Sequence, residues 1–133
     1  IWDRRLLETG TVFECQSEAA PRFEWAYMMF DDMLLLGTRD GGSSSSIHCH
    51  KTYNFRDIKN VCTTVPESDV PNGVSSATVV SFQAGGAKVV LFCRDAASRM
   101  AFVERLTSAI KAYNDKQARA KVEICAIRTQ LSS

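Results

Sequence analysis

From Arg22 to Gly37 the chain reads RFEWAYMMFDDMLLLG. Phe23, Trp25, Tyr27 and Met29 recur at every second position, and Arg22, Glu24, Ala26, Met28 and Phe30 take the places between them. A period of two puts the sets on opposite faces of one strand, and aromatic residues suit a pleated, half-buried surface. Asp31-Asp32 is a turn-prone pair. Met33 to Leu36 is a short apolar run closed by Gly37, which reads as a buried strand. The two runs together predict a β-hairpin.

The same period recurs on both sides of this hairpin. Thr9-Gly10 opens a strand in which Thr11, Phe13 and Cys15 alternate with Val12, Glu14 and Gln16. Ser17 to Pro21 is a turn, with Pro21 ending ladder pairing. Arg39 to Ser46, RDGGSSSS, has the composition of a flexible loop. Ile47 to Phe55 alternates again, with His48, His50 and Thr52 on one parity and Ile47, Cys49 and Tyr53 on the other. After a short break at Arg56-Asp57, Ile58 to Val65 is a further strand. Pro66 to Ser75 is a second long loop containing Asn72-Gly73. Ser76 to Gln83 and Lys88 to Arg94 form a tight hairpin about Gly85-Gly86.

Beyond Arg94 the period changes. Asp95 is a good helix N-cap. Phe102, Leu106, Ala109, Ile110 and Tyr113 then fall on one stripe at spacings of three and four. Neither glycine nor proline interrupts residues 95–133. Ala120, Ile124, Ile127 and Leu131 extend the helical spacing, although Val122 to Ile127 also alternates as a strand would. The helix is the favoured reading. At the other end, Trp2 and Leu6 lie four apart, which fits either the end of a helix or a frayed terminus.

Composition narrows the picture. A chain of 133 residues suits one domain with a sizeable core. Sixteen basic against fifteen acidic residues leave a formal charge of +1, so no global field points to nucleic acid or an acidic membrane. No apolar run approaches the roughly 20 residues of a membrane span, and no secretory signal is visible. Five widely spaced cysteines without a CxxC argue against a disulfide framework or a zinc ribbon. Scattered free thiols suit a reducing compartment, and the expected location is cytoplasmic. Catalytic signatures are missing: there is no nucleophile elbow, P-loop or HExxH. Asp31-Asp32 could be read as paired carboxylates, but adjacent residues at a strand end point apart. His48 and His50 share a strand face with Cys49 opposed, which leaves two ligands without a third. The chain is expected to be no enzyme and to hold no metal or cofactor.

Seven short strands and one closing helix predict a mainly β fold, an antiparallel sandwich or partly open barrel with the helix as plug. With Gly10 opening the first strand, the FEWAYMMFDDMLLLG hairpin, KVVLFCR and the helix, this layout resembles the pleckstrin homology (PH) domain over roughly Leu7 to Tyr113. RRLLETGTV followed by YMMFDDMLLLG is most similar to the PH domains that follow Dbl-homology modules in Rho guanine nucleotide exchange factors. PH domains usually carry Trp in the closing helix where Phe102 stands here, and Phe would fill that pocket with a smaller ring. The expected division is a linker or helix end over 1–8, the PH domain over 9–114 and a helical extension over 115–133.

The resemblance implies two functions. PH domains that hold inositol phosphates carry a Lys late in the first strand and Arg-x-Arg or Arg-x-Lys at the start of the second, because clustered cations on a rigid hairpin clamp phosphates. Here the first strand ends FECQS, and only Arg22 of RFE matches, with Glu24 repelling. Arg22, Arg39, Lys51 and Lys88 are the candidate lipid-binding cations, and they imply weak, unselective phosphoinositide contact at a membrane periphery. Protein interaction is the favoured function: a non-catalytic module that braces or regulates an exchange domain, with a small GTPase or that adjacent domain as partner. Trp2, Arg4 and Arg5 lie at the expected junction. A third reading is a relative of phosphotyrosine-binding domains, in which a peptide adds a strand beside the closing helix.

Overall fold

The computed structural model describes residues 5–16, 22–39, 47–71 and 73–132, with side chains through residue 122. Within these residues the strands are β1 (Leu6–Glu14), β2 (Phe23–Phe30), β3 (Met33–Arg39), β4 (Ile47–Asn54), β5 (Ile58–Cys62), β6 (Val79–Ala84) and β7 (Ala87–Phe92). They are followed by helix α1 (Ala96–Ser132). The strands form one antiparallel sheet in the order β4-β3-β2-β1-β7-β6-β5. The mainly β architecture with one closing helix is the expected one, and residues 122–127 are helical.

The sheet is strongly curled. In that order β4 and β6 are five steps apart, which in a flat sheet is about 24 Å at about 4.8 Å per step. Yet the rings of Tyr53 on β4 and Phe82 on β6 lie 5.4 Å apart, edge to face. The two halves of the sheet therefore fold over one another and enclose a single core. Its inner face carries Val12 of β1; Trp25, Tyr27 and Met29 of β2; Leu34 and Leu36 of β3; Val80 and Phe82 of β6; and Val89 and Leu91 of β7. Each set keeps the parity of an alternating strand.

α1 stoppers one end of this curl. Asp95 Oδ1 accepts the Ser98 backbone N–H at 2.7 Å, so the helix has the N-cap its sequence predicts. Phe102, Leu106 and Ala109 are buried, and Val103, Ile110 and Tyr113 pack at the margin. The Phe102 ring meets Tyr27 edge-on at 5.0 Å, and Tyr113 meets Phe55 in the same manner at 6.2 Å. Arg99 ties the first turn down: its Nη1 donates to the carbonyls of Thr63, Ser76 and Val79 at 3.3–3.5 Å. From Asn114 to Val122 every side chain is exposed.

Several boundaries differ from the sequence reading. β1 starts at Leu6, so Leu6, Leu7 and Glu8 are strand rather than the end of a helix. Pairing wins there: Leu6 lies opposite Phe30, and Asp31 N donates to Arg5 O at 3.0 Å. β5 ends at Cys62, not Val65, because Asn60 adopts a positive φ of 56° at a register shift and the Thr63 carbonyl turns to Arg99. Ser76–Thr78 is a 3-10 turn instead of strand. The Ser75 hydroxyl accepts from Ala77 N, and the Thr78 hydroxyl donates to Ser75 O, local bonds that compete with the ladder. The β6–β7 turn is as predicted: Gly85 and Gly86, both at positive φ, link the paired Ala84 and Ala87 in a two-residue loop.

Two outcomes test this packing. Phe102→Ala should cost about 3–5 kcal/mol in chemical denaturation, as for a large ring removed from a core. For Asp95, hydrogen bonds from the backbone and side chain of Ser98 hold the carboxyl below its ordinary range. The native carboxylate thus contributes stability above its unfolded pKa of about 3.9, and that contribution disappears as the pH falls through the lower native value. Asp95→Asn keeps a capping acceptor without the titration. Its deficit in melting temperature relative to wild type should therefore shrink between neutral pH and pH 3.

Candidate functional site

β1 and β3 end, and β2 and β4 begin, at one mouth of the curl, and the four candidate cations were expected to converge there. Pleat parity separates them. Leu36 faces the core and lies opposite Lys51, so Lys51 points inward. Arg39 on β3 and Lys88 on β7 alternate with the core positions Leu36 and Leu91 and point outward. Arg22 precedes β2 and lies over the outer-face rings of Phe13 and Phe92, its Cζ at 5.0 and 5.4 Å from their centroids. Those two rings are themselves stacked at 5.6 Å. The hairpin thus does not gather these residues into one cation clamp.

Three of the four are also already engaged. Lys51 Nζ donates to Glu14 Oε1 at 3.1 Å and sits 5.4 Å from the Trp25 ring centroid. Lys88 is ion-paired with Asp69. The Arg22 guanidinium rests on its aromatic pair, an arrangement favoured by the ring quadrupole. Arg39 is exposed at the end of β3. Arg5 is exposed beside the start of β1, whereas Trp2 and Arg4 lie outside the described residues.

What the inner face does assemble at this mouth is a polar group around Trp25. Its Nε1–H donates to Glu14 Oε1 at 3.2 Å. The His50 ring lies 5.6 Å from the Trp25 ring, and His50 Nε2 is 3.0 Å from Thr38 Oγ1. Strict alternation would turn His50 away from Lys51. Instead, Leu36 faces Lys51 while Gly37 faces Cys49, so β4 has one extra residue at His50. Such a bulge puts two successive side chains on the same side. Glu14, Trp25 and His50 were absent from the expected site. The visible signal was a carboxylate in register with core residues: Glu14 follows Val12 at a spacing of two. The bulge had no such signal. Among the described residues no group of three metal-ligating side chains is present, and His48 and His50 do not form part of one.

At the helix end, a cavity of about 280 Å³ is lined by Gly10, Phe13, Tyr27, Cys93, Ser98 and Phe102, among others. A Cβ at Gly10 would come within 2.6 Å of the Tyr27 ring, so glycine is required for that ring to lie across β1. The Tyr27 hydroxyl donates to Glu8 Oε2 at 3.1 Å. Burial first, then the Glu8 carboxylate, holds the phenol protonated far above its usual range. Burial likewise pushes the Cys93 thiol up to about 11 despite the nearby Arg99. A thiol so raised is a poor nucleophile.

No protein-family model and no curated protein matches the chain. Solved structures do. One is the crystal structure of the ternary complex between human RhoA, its inhibitor and the DH/PH domain of human ARHGEF11. The likeness has a TM-score of 0.60 at 10% identity, over 81% of this chain and 29% of that one. Another is the complex of PDZ-RhoGEF DH/PH domains with GTP-gamma-S-activated RhoA. There the TM-score is 0.59 at 11% identity, over 82% of this chain and 30% of that one. This chain spans less than a third of either matched chain. At these identities the likeness is one of fold, and the fold is PH-like.

The thiols provide a direct check of the burial pattern. Cys15, Cys49 and Cys62 are exposed and Cys93 is buried. Brief treatment of the folded protein with iodoacetamide near neutral pH should label the first three. Cys93 should be spared until denaturant is added, as read by peptide mass spectrometry.

Proposed function

We propose that the chain is a non-catalytic protein-interaction module of a larger Rho-type exchange protein, bracing or regulating an adjacent exchange domain. The observation that carries this reading is the outer face of the β1–β3 sheet. A sheet with its core on one side normally presents polar residues on the other. Here Met28 lies opposite Leu35, and Leu6 lies opposite Phe30, all on the parity facing away from the core. Met28 and Leu35 are half-buried, and Leu6 is 47% exposed. Apolar side chains at these outer-face positions, with Leu6 the exposed one, are what a docking surface would use. The PH-like fold, found also in DH/PH proteins solved with RhoA, supports a helical exchange domain or a small GTPase as its partner.

A membrane-targeting role has weaker support, because the cations it needs face different ways and three of them already have partners. The thiols of Cys49, Cys62 and Cys93 are not in disulfides, which favours a cytoplasmic location.

The test uses biolayer interferometry with the chain immobilised and either a Dbl-homology exchange domain or GTP-gamma-S-loaded RhoA in solution. Met28→Glu combined with Leu35→Lys places an opposite-charge pair at these facing positions of the outer face, and the melting transition shows that the variant remains folded. It should weaken binding by about tenfold or more, as for residues central to an interface. If the wild-type chain bound neither partner, or if the double variant bound equally well, the proposal would be wrong.

A further inference from the structure

The inner-face group at the mouth has the composition of an oxyanion site with its ligand supplied by the same chain. Glu14 ends β1 on the core parity, its side chain only 18% exposed. Two donors converge on Oε1: the Lys51 ammonium at 3.1 Å and the Trp25 indole N–H at 3.2 Å. Lys51 also reaches Oε2 at 3.5 Å. The imidazole of His50, held by Thr38, flanks the same indole. An ammonium and an N–H aimed at one point are complementary to a carboxylate or phosphate oxygen. Of the four cations predicted for anion binding, Lys51 alone faces this point, and Glu14 neutralises it.

We infer that Glu14 is a built-in occupant of this oxyanion site and the residue that sets the mouth's specificity, excluding phosphorylated polyanions. With the carboxylate in place, an incoming phosphate meets like charge and finds both donors taken. With a neutral residue there, Lys51 regains an unpaired charge next to the Trp25 N–H, and the site accepts a phosphomonoester. Glutamine is the informative replacement because it keeps the size of the side chain and removes only the charge that pairs with Lys51 and repels phosphate. This inference does not depend on the partner proposed above, since it concerns the opposite face of the sheet.

The experiment measures binding of inositol hexakisphosphate by calorimetry for wild type, Glu14→Gln and Glu14→Gln combined with Lys51→Ala. In parallel it measures flotation with phosphatidylcholine vesicles with and without phosphatidylinositol bisphosphate. Wild type should bind weakly, and Glu14→Gln should bind the soluble polyanion about tenfold or more tightly, the scale of one charge-assisted hydrogen bond. Removing Lys51 should abolish that gain. A gain in both assays identifies a lipid headgroup as an admissible source, and a gain in calorimetry alone restricts the site to free phosphate esters. Glu14→Ser supplies the same comparison should the glutamine variant not fold, as judged by its melting transition. The inference is overturned if wild type binds as tightly as the folded variant, if no gain occurs, or if the gain survives loss of Lys51.

Discussion

The structure depends on the closure of a curled sheet by one helix. A seven-stranded antiparallel sheet with a continuous apolar inner face cannot bury that face while flat, and here it folds until Tyr53 and Phe82 touch. The curl leaves an end open, and the ring of Phe102 with Leu106 and Ala109 fills it. Asp95 and Arg99 fix where the helix starts, the first by capping it and the second by gathering three carbonyls of the β5–β6 region. Without this stopper, Tyr27 and Phe55, which meet the rings of Phe102 and Tyr113, would face water, and the cost of exposing that apolar surface would be prohibitive.

The same geometry explains why the mouth does not look like a phosphate clamp. Parity distributes Arg22, Arg39 and Lys88 to the outside and leaves Lys51 within. Of this pair Glu14 is the more buried, its side chain 18% exposed against 39% for Lys51, and a carboxylate so placed is destabilising without a counter-charge and hydrogen-bond donors. Lys51 supplies the counter-charge, and Trp25 is a second donor to the same carboxylate. The pair is thus first a structural answer to a local electrostatic problem. Its consequence for recognition follows because an internal carboxylate and an external phosphate compete for the same donors.

Function, on this reading, moves from the mouth to the outer wall. β2 and β3 are apolar on both faces: the inner face makes the core, and the outer face presents Met28 and Leu35. The PH-like fold leaves that outer face uncovered by the helix, which packs against β5, β6 and the short turns beside them.

Much of this was legible in the chain itself, because alternation and helical spacing are local properties. The period-two run from Phe23 to Met29, the paired glycines at 85 and 86 and the stripe from Phe102 to Tyr113 each report a backbone preference that neighbouring residues enforce, so the order of strands and helix could be read directly. The site could not. Whether Val12 and Glu14 or Phe13 faces inward depends on which side β2 and the core lie, and both parities of β1 carry apolar residues. The bulge that turns His50 toward Trp25 arises from a register shift between β3 and β4, which no short-range pattern encodes. The partners of Lys51 and Lys88 stand 37 and 19 residues away in sequence. Long-range pairing of charges is decided by how the sheet curls, and only the tertiary structure specifies that curl.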